Sequence, residues 1–306
     1  MDLRRLGMLR ELAERGTVGA VADEMGITPS AVSQQLKLLE REAGVALIEP
    51  AGRGVRLTAA GRALAATATE LAVAVERAEA QWLEFLGRPA GDVTLTVFPT
   101  GGEMLLPGLL RRVADEPAVQ LVCADGDPAH GYEVLDMVAD YDVVVADSPA
   151  VTEQWRERDL QIVPLLREPL DVALPEDHRL AARATLAPRD VIGETWIGAP
   201  HDFPYDRVLQ QLVAVTGEPM DIAQRFDDNG IVEACVAAGH GIAILPRFTT
   251  RTHGNGLVTR PLVGIRARRE IAAVLRPDRF ERPSVRFVVQ ALRDEARTVA
   301  DAHASL

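Results

Sequence analysis

Small polar side chains and a lysine occupy one face of the segment from Pro29 to Arg41. Hydroxyl, amide and ammonium groups hydrogen-bond to base edges and phosphate oxygens in the major groove of DNA. On the other face, Val32, Leu36 and Leu39 recur at spacings of four and three, which is the apolar stripe of a helix. The segment is predicted to be a DNA recognition helix; the alternative is a helix whose polar face is only solvated. The candidate DNA-binding residues here are Thr28, Pro29, Ser30, Ser33, Gln34 and Lys37.

The residues that precede this helix predict where it starts. Thr28 can cap it by accepting a hydrogen bond from an amide of the first turn. Pro29 suits the first helical position, because its fixed φ is already helical and its missing N–H is not needed there. Two further helices, at about 2–15 and 18–25, with a turn at Gly26, complete a helix-turn-helix.

Two short strands are predicted from Val45 to Thr58, around a glycine-rich turn. Such a hairpin is the wing of a winged helix-turn-helix. Arg53 at its tip and Arg56 beside it are further candidate DNA-binding residues, since arginine is favoured in narrow minor grooves. The alternative is a solvated hairpin.

A long helix is predicted from Thr58 to about Leu86, with a heptad seam of apolar residues. A single helix cannot bury such a seam alone, so we expect a homodimer through paired helices. The alternative is burial of the seam on the C-terminal part of the same chain. The seam comprises Leu64, Ala68, Leu71, Val75, Ala78, Trp82 and Phe85, of which Leu64, Leu71, Val75 and Trp82 are the candidate dimerisation residues.

The formal net charge of −12 is unevenly distributed. Residues 1–66 hold nine Lys/Arg and eight Asp/Glu, which leaves 24 and 37 for the rest of the chain. The C-terminal part would be repelled by DNA phosphates. Contact with DNA must therefore rely on locally clustered cations of the N-terminal part.

Composition also predicts a cytoplasmic protein. No run of 18 apolar residues is present, and the first residues lack the apolar core of a signal peptide. Cys123 and Cys235 lie in apolar contexts and are expected to be buried free thiols. The histidines lack metal-binding spacing, and no nucleophile elbow or phosphate-binding loop is present. We therefore expect no metal, no cofactor and no enzyme activity.

The order of these elements resembles that of the LysR-type transcriptional regulators. The resemblance is carried by ITPSAVSQQLKLLEREAGVALIEPAGRGVRLT and LTAAGRAL, is dense over residues 3–66 and continues more loosely to the C-terminus. Two departures stand out. Ile48 and Glu49 replace a usual phenylalanine-arginine pair, and Thr17-Val18 replaces a usual serine-phenylalanine. Glu49 removes a positive charge next to the wing.

After a hinge at 87–91, strands and helices alternate, which predicts an α/β domain with parallel strands. The predicted strands are Val93–Phe98, Val119–Ala124, Asp142–Ala146, Leu170–Leu174, Thr195–Ala199, Ile222–Phe226, Ile242–Leu245 and Glu270–Leu275. The predicted helices lie at about 103–114, 130–139, 204–215, 229–238 and 284–301.

The whole chain is thus predicted to be an α+β two-part protein: a winged helix-turn-helix, a long linker helix and a C-terminal α/β domain. The resemblance implies that the C-terminal domain is periplasmic-binding-protein-like, with two subdomains joined by two crossovers. The first lies at Glu168 to Ala181, and the chain returns near Val258 to Leu275. The implied DNA-binding domain spans 1–58, the linker and dimerisation helix 59–87 and the effector-binding domain 92–306. The implied subdomains lie at about 92–166 with 268–306, and at about 167–267.

Ligands bind open α/β sheets beyond the carboxyl ends of strands, where helix N-termini offer free amides. That rule selects four loops, near residues 99–102, 147–149, 198–203 and 227–230. The resemblance implies that these loops face one another across a cleft, and that Thr100 matches a position that holds an effector's acidic group. The candidate effector-binding residues are Pro99, Thr100, Gly101, Glu103, Asp147, Ser148, His201, Phe203, Asp227 and Asn229.

Two observations qualify this site. Thr100 and Glu103 have the spacing of a capping box, and Asn229 suits an N-cap, so helix capping alone is the alternative. The loops also carry five carboxylates against His201 and Arg207. That balance favours a neutral or amine-bearing effector over a dicarboxylate.

The resulting prediction is a sequence-specific DNA-binding transcriptional regulator controlled by a small-molecule effector. Its expected partners are double-stranded DNA, the effector, further copies of the chain in a dimer or tetramer, and RNA polymerase. The alternative is a regulator whose cleft is vestigial and that acts without an effector.

Overall fold

A computed structural model describes residues 1–51, 54–85, 90–126, 134–148, 160–201, 203–252 and 254–304. The N-terminal part forms three helices, a two-stranded wing and a long helix. These are α1 (Leu3–Arg15), α2 (Val18–Glu24), α3 (Pro29–Ala43), β1 (Ile48–Ala51), β2 (Gly54–Leu57) and α4 (Ala59–Phe85).

Capping residues set the ends of the short helices. The side chain of Asp2 accepts from Arg4 N at the start of α1, and Gly16 ends that helix with φ 73°. Thr28 Oγ1 accepts from Ala31 N at the start of α3. The sequence prediction of these two helix starts is therefore confirmed.

The apolar stripe of α3 packs into a small core with α1 and α2. Val32 and Leu39 are fully buried, as are Leu9 of α1 and Val21 of α2. Gly61 of α4 lies against the wing so closely that a Cβ there would be 2.0 Å from the carbonyl oxygen of Leu47. Only glycine allows α4 to start at this distance, which fixes the wing against the helix.

The C-terminal part is a mixed α/β structure. Its strands are β3 (Gly91–Val97), β4 (Val119–Asp125), β5 (Val143–Ser148), β6 (Gln161–Pro175), β7 (Thr195–Gly198), β8 (Asp221–Arg225), β9 (Ile242–Pro246), β10 (Leu257–Pro261) and β11 (Arg268–Leu275). Its helices are α5 (Pro99–Ala114), α6 (Val134–Asp140), α7 (Pro188–Val191), α8 (Pro204–Thr216), α9 (Asn229–Ala237), α10 (Pro277–Glu281) and α11 (Pro283–Ala304).

The strands run in the order β4-β3-β5-β11-β6-β9-β7-β8, with β10 also paired to β6. Strand pairs at both outer ends are parallel, as expected. The prediction of parallel strands does not hold at the centre of the sheet, where the pairs β5–β11, β11–β6, β6–β9 and β6–β10 are antiparallel. The chain crosses between the two halves of the sheet and returns, which reverses the direction of these strands.

Strand β6 belongs to both halves of the sheet. Residues 161–169 pair with β11, whereas 170–175 pair with β9 and β10. The first half, with β3, β4, β5 and β11, packs against α5 and α11. The second half, with β7, β8 and β9, packs against α8 around the buried Trp196. Among the described helices, none combines the length and apolarity needed to cross a membrane.

Buried ion pairs join α1 to the C-terminal part. Arg276 donates to Glu11 at 3.2 Å and to Asp278 at 3.0 Å, and it lies 2.6 Å from Glu14. Arg10 pairs with Asp278 at 3.0 Å. Arg276, Glu11 and Asp278 are all less than 9% exposed. The helix-turn-helix and the C-terminal part therefore share a buried electrostatic contact.

Candidate functional site

Three long polar side chains, Gln34, Lys37 and Arg41, are exposed on one face of α3. The shorter side chains are used locally: the hydroxyls of Thr28 and Ser30 lie 2.9 Å apart, and Ser33 Oγ donates to Pro29 O at 3.0 Å. Gln34 and Lys37 are therefore the residues of the predicted set best placed to reach a ligand.

Lys37 is the only lysine among the 306 residues; every other basic side chain of the Lys/Arg type is arginine. An ammonium group on a flexible stem contacts phosphates as a point charge, unlike the planar guanidinium. The sequence shows directly that Lys37 is the only lysine, whereas the net charge, which adds lysine and arginine together, does not.

In the wing, Arg56 pairs with Glu49 across β1 and β2, with 2.8 Å between Nε and Oε1. Both side chains are exposed. Glu49 therefore lowers the positive charge of the wing in two ways. It replaces the arginine that is usual in the family, and it pairs with Arg56. Arg53, the predicted tip residue, lies outside the described residues.

The apolar seam of α4 changes character along the helix. Leu64 and Ala68 pack into the core of the helix-turn-helix. Further along, Leu71, Val75 and Trp82 are 40%, 48% and 61% exposed. The alternative to dimerisation is burial of the whole seam on the C-terminal part of the same chain. These exposed side chains show that this alternative is wrong. The face of α4 that is buried farther along carries Ala80 instead.

In the C-terminal part, residues from the carboxyl ends of several strands meet at Arg269 of β11. Its guanidinium donates to Thr100 Oγ1 at 2.7 Å and to Asp147 Oδ2 at 3.2 Å. Two further bonds, of 2.8 and 2.6 Å, reach Glu168 Oε2. Arg269 is 2% exposed and Glu168 is fully buried. The structure thus brings together Thr100 and Asp147, which sequence analysis selected, around two residues that it did not select.

Aromatic rings flank the same guanidinium. Its Cζ atom lies 4.8 Å from the ring centroid of Phe98 and 5.6 Å from that of Tyr205. Tyr205 contacts Phe203 edge-to-face at 5.2 Å, and its hydroxyl lies 3.5 Å from Asn229 Nδ2. Phe203 and Asn229 therefore belong to the group around Arg269, through Tyr205.

Burial raises the pKa of Tyr205, so its hydroxyl stays protonated at neutral pH. Burial alone would lower the pKa of Arg269, but the carboxylates of Glu168 and Asp147 outweigh it and raise that pKa. The site therefore holds a permanent cation.

The capping interpretation of these loops is wrong at both positions. Helix α5 starts at Pro99 with Phe98 as N-cap and without a side-chain cap, so Thr100 and Glu103 form no capping box. At α9 the N-cap is Asp228, which accepts from Ile231 N, and Asn229 is the first helical residue.

The other predicted effector residues lie farther out. Glu103 is exposed and lies 3.7 Å from Arg251, and His201, also exposed, lies 3.8 Å from Asp206. Gly101 packs on the Phe98 ring, where a Cβ would approach to 2.7 Å. Pro99 and Asp227 are exposed, and the side chain of Ser148 lies outside the described residues.

The charge balance of the loops differs from the sequence count. Arginines distant in sequence neutralise several of the counted carboxylates, as Arg269 does for Asp147 and Arg251 for Glu103. Asp206, which the count omitted, is held by Arg225 at 2.8 Å. The predicted strand began at Glu270, one residue after Arg269, so sequence analysis missed the central cation.

The two candidate sites are thus a winged helix-turn-helix and a buried cluster in an α/β domain, an arrangement that separates DNA binding from a second, regulatory domain. The family model for the bacterial regulatory helix-turn-helix of the lysR family matches residues 3–62. That for the LysR substrate binding domain matches 86–297. The chain belongs to the LysR family of transcriptional regulators.

Full-length relatives agree. A probable nitrogen assimilation transcriptional activator of Synechococcus elongatus is 26% identical over 96% of this chain and 95% of its own length. The transcriptional dual regulator GltC of Bacillus subtilis is 26% identical over 95% and 97%.

Solved structures share the fold. A full-length variant of OxyR from Pseudomonas aeruginosa superposes with a TM-score of 0.63 at 21% identity, over 97% of this chain and 95% of that one. Full-length CbnR in complex with its target DNA gives 0.54 at 22% identity, over 97% and 100%. The two family-model matches, rather than these structures, establish that the chain is a DNA-binding transcriptional regulator with an effector-binding domain.

Proposed function

We propose that α3 reads base sequence through Gln34 and that Lys37, Arg53 and Arg56 contact phosphates. The exposed polar face of α3, opposite a fully buried apolar stripe, supports this assignment. Thr28, Pro29, Ser30 and Ser33 shape the start of the helix and bring its first turn to the groove. Recognition helices of two chains would lie in successive major grooves, with half-sites one helical turn or a multiple of it apart.

We propose that the chain dimerises through the exposed half of the α4 seam, at Leu71, Val75 and Trp82, with tetramers built from such dimers. The domains would be those expected from sequence, with DNA binding in 1–58 and effector binding in 92–306. Effector binding would reorient the two subdomains and so change the spacing of the paired heads.

We propose that the effector binds beside Thr100, Asp147, Phe203 and Asn229, and that it is neutral or amine-bearing. The two carboxylates beside Arg269, of Asp147 and Glu168, support a ligand without net negative charge. The protein would act in the cytoplasm, with RNA polymerase as a further partner and without an enzymatic reaction.

The DNA-reading role is tested by selecting bound fragments from a genomic library and measuring affinities for selected and random DNA. Gln34→Ala is expected to relax base preference, whereas Lys37→Ala and Arg53→Ala are expected to weaken binding to all sequences alike. Equal losses on both kinds of DNA for every variant would contradict this division. The genes next to the selected fragments would also narrow the chemistry of the effector.

A second candidate is a regulator that needs no effector. The observation that favours it is the occupation of the cluster by the chain's own Arg269. A rise in melting temperature with a neutral or amine-bearing ligand would argue against it, because a ligand that binds only the native state stabilises that state.

A further inference from the structure

The residues around Arg269 form what we call the guanidinium cage: Phe98, Thr100, Asp147, Glu168 and Tyr205. Phe98 and Thr100 follow β3 and Asp147 lies near the end of β5, both in the first half of the sheet, whereas Tyr205 follows β7 of the second half. Glu168 lies on β6, which both halves share. The cage is therefore assembled from both sides of the crossover, where the proposed effector would bind.

The chemistry of the cage is that of a site for a planar cation. Carboxylates accept charge-assisted hydrogen bonds from a guanidinium, and aromatic faces attract the same group through the ring quadrupole. Here two carboxylates and a hydroxyl accept four hydrogen bonds from Arg269, and two rings lie within 6 Å of its Cζ. A compact ammonium group would use fewer of these acceptors at once.

The cage disfavours an anion. Asp147 and Glu168 already place two carboxylates beside the guanidinium of Arg269, and both side chains are less than 10% exposed. Four of the five N–H donors of a guanidinium are engaged, so an anion would have to break an existing bond. It would also place a third negative charge in a poorly solvated site.

We propose that the guanidinium cage is a subsite for an effector that carries a guanidinium or amidinium group, and that Arg269 fills it as a built-in ligand until the effector displaces it. This inference rests on the proposed function, since it assigns a chemical class to the ligand of the same cleft. An internal occupant lowers apparent affinity in proportion to the fraction of molecules in which the cage is open.

The first test removes the built-in ligand from the full-length protein. Arg269→Ala is expected to melt at lower temperature than the wild type and to be restabilised by millimolar methylguanidinium, measured against sodium chloride of equal ionic strength. The wild type is expected to show no such shift. Arg247→Ala is the matched control, because Arg247 forms two 2.7 Å bonds with Asp171 outside the cage. Equal restabilisation of both variants would overturn the inference, since any carboxylate deprived of its arginine would then suffice.

The second test uses calorimetry with agmatine, a guanidinium ligand, and succinate, a dicarboxylate. Removal of the internal competitor is expected to tighten agmatine binding at least about tenfold relative to the wild type. Arg269→Gln, which keeps a polar side chain, serves if the alanine variant does not fold. Binding of succinate in preference to agmatine, or identical agmatine affinity in wild type and variant, would overturn the inference.

The same preparations separate this inference from the proposed function. Affinity for a selected DNA fragment and for random DNA is measured on the wild type and on each variant. Specific DNA binding without any response of the variants to guanidinium ligands would overturn the cage and leave the regulator intact. If the wild type binds selected and random DNA with equal affinity, the assignment of α3 as the recognition helix is overturned.

Discussion

Glu49 and Arg56 form an exposed ion pair on the wing, with side chains 44% and 71% exposed. Exposed pairs contribute about 0–1 kcal/mol, so Arg56 can leave Glu49 for a phosphate. The carboxylate nevertheless repels the backbone of DNA. Its effect on DNA binding should therefore be larger than its effect on folding.

Glu49→Gln is expected to strengthen binding to all DNA sequences and to steepen the dependence of affinity on salt by about one phosphate contact. Fluorescence anisotropy over a series of potassium chloride concentrations measures both quantities. Glu42→Gln is the control, because Glu42 pairs with Arg5 of α1 and lies outside the wing. If both variants gain equally, the cause is net charge and Arg56 has no special role.

Lys37 offers a second test at the scale of one residue. As the only lysine, it shares amine reactivity only with the N-terminus of the chain. Acylation followed by mass spectrometry is expected to label Lys37 in the free protein and to spare it in the complex with selected DNA. The α-amino group of Met1 serves as the internal reference. Unchanged labelling of Lys37 on DNA would remove it from the interface.

At the scale of elements, α4 carries the clearest prediction. Val75→Glu places a carboxylate in the apolar seam, and burial of an unpaired charge costs on the order of several kcal/mol. We expect the dimer to dissociate, as measured by sedimentation velocity. Ala66→Glu, at an exposed position on the opposite face of the same helix, is expected to leave the mass unchanged. An intact dimer with Val75→Glu would place the interface elsewhere.

Local signals explain which elements could be predicted. Thr28, Pro29 and the stripe at Val32, Leu36 and Leu39 fix α3 within the segment itself. Strand β6 was predicted only over 170–174 but spans Gln161–Pro175. Strand β10 was missed. Both strands pair with strands that are distant in the sequence. The hydrophobic periodicity of a short segment therefore gives little information about where they begin and end.

Arg269 shows the same limit at the candidate site. Thr100 and Asp147 follow predicted strands, and the rule of strand carboxyl ends selects them correctly as neighbours. Arg269 lies at the beginning of its strand instead. It reaches the site only because β11 is antiparallel to β5, which the sequence did not reveal.

At the scale of the whole molecule, the contact between α1 and the C-terminal part should depend on pH. Burial, against the attraction of Arg276, raises the pKa of Glu14 to about 7. The folded state therefore holds a proton that the unfolded state releases above its ordinary pKa, so stability falls as pH rises through 7. The pKa values of Glu11 and Asp278 are not raised but lowered, despite burial, by Arg276 and Arg10, which places their titration below this range.

Glu14→Gln is expected to abolish that part of the pH dependence, about 1 kcal/mol of unfolding free energy between pH 6 and 8. Urea unfolding of wild type and variant at several pH values gives the difference directly. Glu24→Gln, which alters an exposed partner of Arg15, should follow the wild-type curve. Parallel curves for wild type and Glu14→Gln would show that Glu14 does not titrate in this range.

Strand β6 runs without interruption through both halves of the sheet and pairs with β11 on one side of the crossover and with β9 and β10 on the other. Neither half can lose this strand and keep its hydrogen bonds. Separating the two halves would therefore cut this strand between Pro169 and Leu170. Many of the pairings that define the sheet join residues far apart in the chain, as between Val172 and Arg260. Folding that depends on such distant pairings is expected to be slow, because the chain must close long loops before these contacts form.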